Sequence, residues 1–306
     1  MPGPCRGPHM PGPHLPAPPA GLILPAGPSP ETTSTTLRIA LRWMEQTCTV
    51  DAPADIAVDV GALFPRMLAT VPPGAEPDVR VVSGPSGFTV SGDVVFSCDS
   101  AASALWAVEL ALTRRLLALD TRHCHVHGAA ATTPDGRAML AMGPSGSGKS
   151  TLAFAWCRLG RPVLGDDAVA IDEAGLVYPF PRPLKVDAQR LREAGGSPEH
   201  TLGWETGSSE AWVDPDRYAG WAGGGARVGL LAEIRFVPGS PVRAEEVAGA
   251  ARLRMLLSSA YETGVPKVGC VDRFAEVAEG CVAYQLEFGD AMEAAAHLLA
   301  LAEGRG

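Results

Sequence analysis

Gly143-Pro144-Ser145-Gly146-Ser147-Gly148-Lys149-Ser150-Thr151 is the stretch on which this 306-residue chain turns. It has the spacing Gly-x-x-x-x-Gly-Lys-Ser. Residues 137–142, Arg-Ala-Met-Leu-Ala-Met, read as a short buried strand running in, and residues 151–158 as a helix running out. Three glycines among six loop positions let backbone N–H groups turn inward around a polyphosphate at the positive end of the helix. A plain Gly/Ser turn is the alternative, but every fixed position and both flanking elements fit the phosphate loop. Such a loop cradles the phosphates of a nucleotide: Lys149 lies near the β and γ phosphates, and the Ser150 hydroxyl is placed to ligate Mg²⁺.

A second signal follows the loop. Residues 162–171 read as the next buried strand, carrying Asp166 and Asp167 side by side. Adjacent acids in apolar surroundings are costly unless a cation offsets them, and Mg²⁺ held with Ser150 would do so. An acidic step at a strand end is the bland alternative. Upstream, His123-Cys124-His125-Val126-His127-Gly128 alternates histidines along one strand. A zinc site lacks a fourth ligand nearby, so His127 is expected at the active site and the other two in structural roles.

Together these segments resemble the HPr kinase/phosphorylase family, in particular its shorter bacterial relatives. The resemblance rests on His127-Gly128, the 143–151 loop, Arg158-Leu-Gly-Arg-Pro162, Gly165-Asp166-Asp167, and the run from Tyr178 to Lys185, Tyr-Pro-Phe-Pro-Arg-Pro-Leu-Lys. It covers residues 124–186 well and the remainder only by layout. Those relatives include kinases from gene clusters for ribosomally made peptides, such as lasso-peptide precursor kinases. The resemblance implies an α/β fold with a P-loop core of the HPr kinase / phosphoenolpyruvate carboxykinase type. It also implies ATP-dependent phosphorylation of serine or a similar hydroxyl. Carried over, Gly143, Ser145, Gly146, Ser147, Gly148, Lys149, Ser150 and Thr151 hold the nucleotide phosphates. Asp166 then ligates Mg²⁺ with Ser150, Asp167 accepts the hydroxyl proton, and His127 sits at the edge of the site. The loop ends Lys-Ser-Thr where the bifunctional family has Lys-Ser-Glu, and that family's downstream glycine signature is missing. Reverse phosphorolysis and the family's hexamer are therefore not expected.

Composition sets the bounds. Forty-six per cent hydrophobic residues can fill a packed core, and a net charge of −9 argues against nucleic-acid binding. No run is apolar enough for a membrane span and the start lacks a secretory pattern, so the expected location is cytoplasmic. The seven cysteines show no framework and read as reduced thiols. Residues 1–30 hold eleven of the 28 prolines and form a disordered Pro/Gly-rich tail. Residues 31–120 form a smaller N-terminal α+β region. Within it strands are expected at 37–43, 79–82, 88–91 and 94–97, a helix at 59–68, and a linking helix from 99 or 100 to 118. Residues 121–306 form the kinase domain.

Lys185 is a candidate phosphate clamp or else a solvated cation. Residues 195–226 lack periodicity and read as a lid or substrate loop in which Trp204, Trp212 and Trp221 grip a peptide or pack in the core. A strand at 228–237 and helices at 245–261 and 290–303 complete the chain. The expected partners are a nucleotide and a peptide or protein acceptor, and a homo-oligomer is compatible with the sequence. Two other functions remain open: a kinase for a small metabolite, and a nucleotide-binding regulatory ATPase without a phosphoacceptor.

Overall fold

A computed structural model describes residues 35–197, 201–202 and 210–304; the tail 1–30 and Trp204 lie outside them. The fold is mixed α/β. The first sheet takes β1 (Thr36–Trp43), β2 (Gln46–Pro53), β3 (Leu68–Ala69), β4 (Val79–Gly84), β5 (Gly87–Ser91) and β6 (Val95–Cys98) in the order β3-β1-β2-β4-β5-β6. Helices α1 (Ala54–Leu63) and α2 (Ala101–Leu119) pack on it, burying Leu41, Val50, Val60 and Leu112. A capping box of Ser100 and Ser103 starts α2. The helix expected over 59–68 lies earlier, because Pro65 cannot continue it and Pro53 sits at its start.

The second sheet contains β7 (Cys124–Val126), β8 (Gly128–Thr132), β9 (Ala138–Met142), β10 (Val163–Gly165), β11 (Val169–Ile171), β12 (Leu176–Tyr178), β16 (Ala226–Phe236), β17 (Arg243–Val247) and β18 (Val282–Phe288). A third, small sheet pairs β13 (Leu184–Asp187), β14 (Thr201–Leu202) and β15 (Glu210–Val213). Between and after these strands come α3 (Lys149–Arg158), α4 (Ala188–Glu193), α5 (Ala250–Ser259), α6 (Lys267–Glu279) and α7 (Ala291–Glu303). In the middle, β9, β16 and β18 run parallel. Both faces of β9 are covered: Met139 and Ala141 face the layer of α3 and α7, whereas Ala138, Leu140 and Met142 face that of α5 and α6. Hence all five of its residues are apolar and buried.

The order β10-β8-β9-β16-β12-β11-β7 puts β10 and β11 toward opposite ends, yet only residues 166–168 connect them. That link spans at most about 14 Å, so the sheet must curl until its ends meet. His127 alone joins β7 to β8 across the same seam. Phe180 N–H donates to Leu164 C=O over it at 2.9 Å. Two short crossings at one seam therefore carry His127 and the acid pair to the same place.

Several expectations are corrected. The strand expected over 162–171 breaks at the acids, which lie on the bend between β10 and β11; Asp167 adopts φ +66°. Residues 245–261 are not one helix: β17 pairs antiparallel with β18 before Gly249, at φ +59°, starts α5. Edge pairing there overrides the helix propensity of Glu245 and Glu246. The 195–226 stretch contains β15 and a 3₁₀ turn at Pro215–Arg217, and Trp221 is buried in the core, while Trp212 is half-buried. The cysteines are not all reduced, since Cys124 and Cys270 form a disulfide between β7 and α6. Among the described residues no helix is long and apolar enough to cross a membrane.

Candidate active site at the sheet seam

The loop between β9 and α3 is shaped by its glycines. Gly143 has φ +152°, and a Cβ there would meet Ile234 C=O at 2.7 Å. Gly148, directly before α3, has φ +95°, and its Cβ would press Phe288 at 2.9 Å. Side chains are excluded at both positions by conformation and by space. Ser145 and Gly146 are exposed at the tip; Ser150 and Thr151 are half-buried in the first turn of α3. Lys149 is buried, and its Nζ donates to the C=O groups of Gly143 and Pro144 at 2.8 and 3.0 Å. Burial lowers its pKa, while Asp166 and Asp167 pull it back up. The ammonium thus closes the loop onto itself.

Asp166 is fully buried. Its Oδ2 accepts the Lys185 backbone N–H at 3.3 Å, while Oδ1 has no hydrogen-bond partner. Burial pushes its pKa up, Arg182 opposes this, Asp167 adds to it, and the adjacent Ser150 hydroxyl favours the charged form. A buried carboxylate oxygen without a donor is expensive, so this corner fits a cation shared by Asp166 and Ser150. The buried Ser147 hydroxyl is likewise without a partner.

Asp167 is built differently. Its side chain is 43% exposed, with Oδ1 at 3.0 Å from His127 Nε2 and Oδ2 accepting from Arg182 at 3.0 Å. Burial of the group raises its pKa, but His127 and Arg182 outweigh that and hold it well below the usual carboxylate range. Its left-handed backbone is unusual for a residue with a Cβ. Tyr261 supports it by donating its hydroxyl to Asp167 C=O at 2.9 Å, while its ring stacks on His127. The segment after α5 is itself tied to the seam, since His127 N–H donates to Ser259 C=O and Tyr261 N–H to His125 C=O.

The three histidines do not converge. His123 and His125 both turn to Asp120, at 2.8 and 2.9 Å, and only His127 reaches the acid pair. Among the described residues no group of three or more His, Cys, Asp or Glu side chains forms a metal cluster. Lys185 Nζ lies 3.4 Å from Glu109 and 5.1 Å from the centre of the Trp106 ring. In this conformation its charge is engaged by α2.

Sequence reasoning gave no site role to Glu109 or Tyr261, and noted Arg182 only as one of two cations after the acid strand. Glu109 and Arg182 are both buried, with Arg182 Nε 3.2 Å from Glu109 Oε1. A signal was available in the phase of α2, in which Glu109 falls beside Leu116 at the edge of the buried stripe of Val108, Leu112 and Leu116.

No family model matches the chain, and no curated protein matches it in sequence. Among solved structures, the chain is similar to the Hpr(Ser) kinase/phosphatase from Coxiella burnetii, with 14% identity and a TM-score of 0.27, covering 60% of this chain and 99% of that one. A likeness that distant leaves the chemistry to be argued from the site.

Proposed function

We propose that the chain is an ATP- and Mg²⁺-dependent kinase that phosphorylates a hydroxyl, serine foremost, of a peptide or protein on a P-loop core of the HPr kinase type. The observation that carries this reading is the pairing of unlike acids beside the loop: Asp166 is buried with an unpartnered oxygen near Ser150, and Asp167 is half-open on His127. In this reading the amides and hydroxyls from Gly143 to Thr151 hold the triphosphate, with Lys149 turning from its own loop carbonyls to the phosphates. Ser150 and Asp166 hold the metal. When bound, Mg²⁺–ATP supplies the phosphoryl group and the charge that offsets phosphate oxygens. Asp167 takes the acceptor's proton on a carboxylate oxygen, and His127 fixes the direction of that oxygen. His127 and Arg182 outweigh burial and keep Asp167 ionised at neutral pH, which leaves an oxygen able to accept the proton but makes the carboxylate a weak base. Lys185 becomes a phosphate contact only if it leaves Glu109. A precursor peptide of ribosomal origin is the proposed acceptor class.

Incubation with γ-labelled ATP, Mg²⁺, candidate precursor peptides and small hydroxylated metabolites tests the reading. Label on a peptide serine supports it. Label on a small molecule makes the protein a metabolite kinase, and label only in free phosphate makes it a regulatory ATPase.

A further inference from the structure

We propose that Glu109 of α2 is a positioning residue of the phosphoryl-transfer site, acting through Arg182 on Asp167, so that the N-terminal sheet and its helices complete the site instead of serving as a detachable docking unit. This inference rests on the kinase reading above. Glu109 is 1% exposed and Arg182 3%. Glu109 Oε1 lies 3.2 Å from Arg182 Nε and also accepts the Thr113 hydroxyl at 3.1 Å; Oε2 lies 3.4 Å from Lys185 Nζ. The other end of the guanidinium, through NH1, donates to Asp167 Oδ2 at 3.0 Å. Arg182 is therefore held between two carboxylates, one wholly enclosed and one open to solvent.

The geometry divides the labour. Burying an arginine is costly without a counter-charge, and Glu109 supplies one that does not reach the solvent-facing side. With Glu109 in place, Arg182 is neutralised from behind by a close ion pair, although its Nε–H makes no hydrogen bond, and can orient Asp167 without leaning on the acid pair alone. Without Glu109, the guanidinium would have only the acid pair to lean on and would draw closer to it. Packing agrees: Ala168, Ala170 and Phe180, which flank the acids and Arg182, share a core with α1, α2 and the first sheet. Trp43 Nε1 donates to Pro179 C=O at 2.9 Å, and Arg66 pairs with Asp216 at 2.6 Å, locking the same two bodies together.

The experiment compares Glu109→Gln, Glu109→Asp, Arg182→Met and the double variant Glu109→Gln/Arg182→Met in the full chain. Mg²⁺–ATP affinity, KM, kcat and amide hydrogen exchange at Asp167 and Ala168 are read for each. Glu109→Gln is expected to keep nucleotide affinity and KM within about twofold, to lower kcat by about 10–100-fold, and to speed exchange at the turn. Glu109→Asp should recover part of kcat. The double variant should turn over like Arg182→Met alone, because Glu109 has no route to Asp167 once Arg182 is gone; this comparison stands even if Glu109→Gln alone does not fold. Unchanged kcat in Glu109→Gln, or a further kcat loss when it is added to Arg182→Met, overturns the inference. Hydrogen exchange without nucleotide separates the two levels. Absence of phosphotransfer in the wild type sinks the kinase reading, whereas unchanged exchange at Asp167 in Glu109→Gln sinks the positioning role.

Discussion

His127 Nε2 and Asp167 Oδ1 lie 3.0 Å apart, although 40 positions separate them in sequence. One is the single-residue joint between β7 and β8, the other the middle of the three-residue joint between β10 and β11. Asp167→Asn keeps the shape but removes the charge that Arg182 and His127 hold. Phosphotransfer should fall by about 10²–10⁴-fold with nucleotide affinity retained. Single-turnover transfer beside nucleotide titration checks this, and full activity in the variant removes Asp167 as base.

Lys149 donates to two carbonyls of its own loop and sits where burial disfavours its charge. Lys149→Ala should therefore leave the melting temperature without nucleotide nearly unchanged. The upward shift that Mg²⁺–ATP gives the wild type should vanish, since ligand stabilisation scales with the logarithm of concentration over Kd. Thermal unfolding at several nucleotide concentrations measures both. A preserved shift would show that the loop does not depend on this cation.

Cys124 and Cys270 close a loop across 146 positions, with Cα atoms 5.8 Å apart. Constraint of the unfolded chain by such a bridge is worth about 2–4 kcal/mol. Reduction, or Cys270→Ser, should lower the melting temperature by several degrees through loosening of α6 from β7. Alkylation of the unfolded, unreduced protein should label Cys48, Cys98, Cys157 and Cys281, the free thiols among the described residues, and spare Cys124 and Cys270. Labelling of Cys124 and Cys270 as well would remove the bridge.

Asp120 gives a pH dependence away from the active site. Burial pushes its carboxyl up, but His123, His125 and the Arg122 amide outweigh that and hold it well below the ordinary range. A depressed folded pKa contributes stability that is complete above the unfolded value of about 3.9 and is lost as pH falls below it. Asp120→Asn should thus cost about 1–3 kcal/mol at neutral pH, with the gap to wild type closing as pH falls below about 4. Urea titrations across that range test the sign.

The glycine-bearing loop at 143–151 and the strand and helix around it were legible, because residues 138–158 form a local unit whose glycine spacing and periodicity are set by neighbours in sequence. Asp166 and Asp167 were legible as a pair but not as a break in the strand, since a left-handed aspartate has no sequence signature of its own. The pairing of β17 with β18 hid behind helix-forming glutamates. Cys124 and Cys270 could not be matched, because spacing over so long a loop carries no register.

By itself the sequence determined the loop at 143–151, the strand that feeds it and the helix that leaves it, all governed by contacts a few residues apart. Only the tertiary structure decided that His127 faces Asp167, that Asp166 is left with an unpartnered oxygen, and that Glu109 and Arg182 face each other in the core. Those facts depend on a sheet curling until its two ends meet, and on α2 packing against the seam. Closure of that kind is set by the sum of long-range packing, which no short stretch of residues encodes.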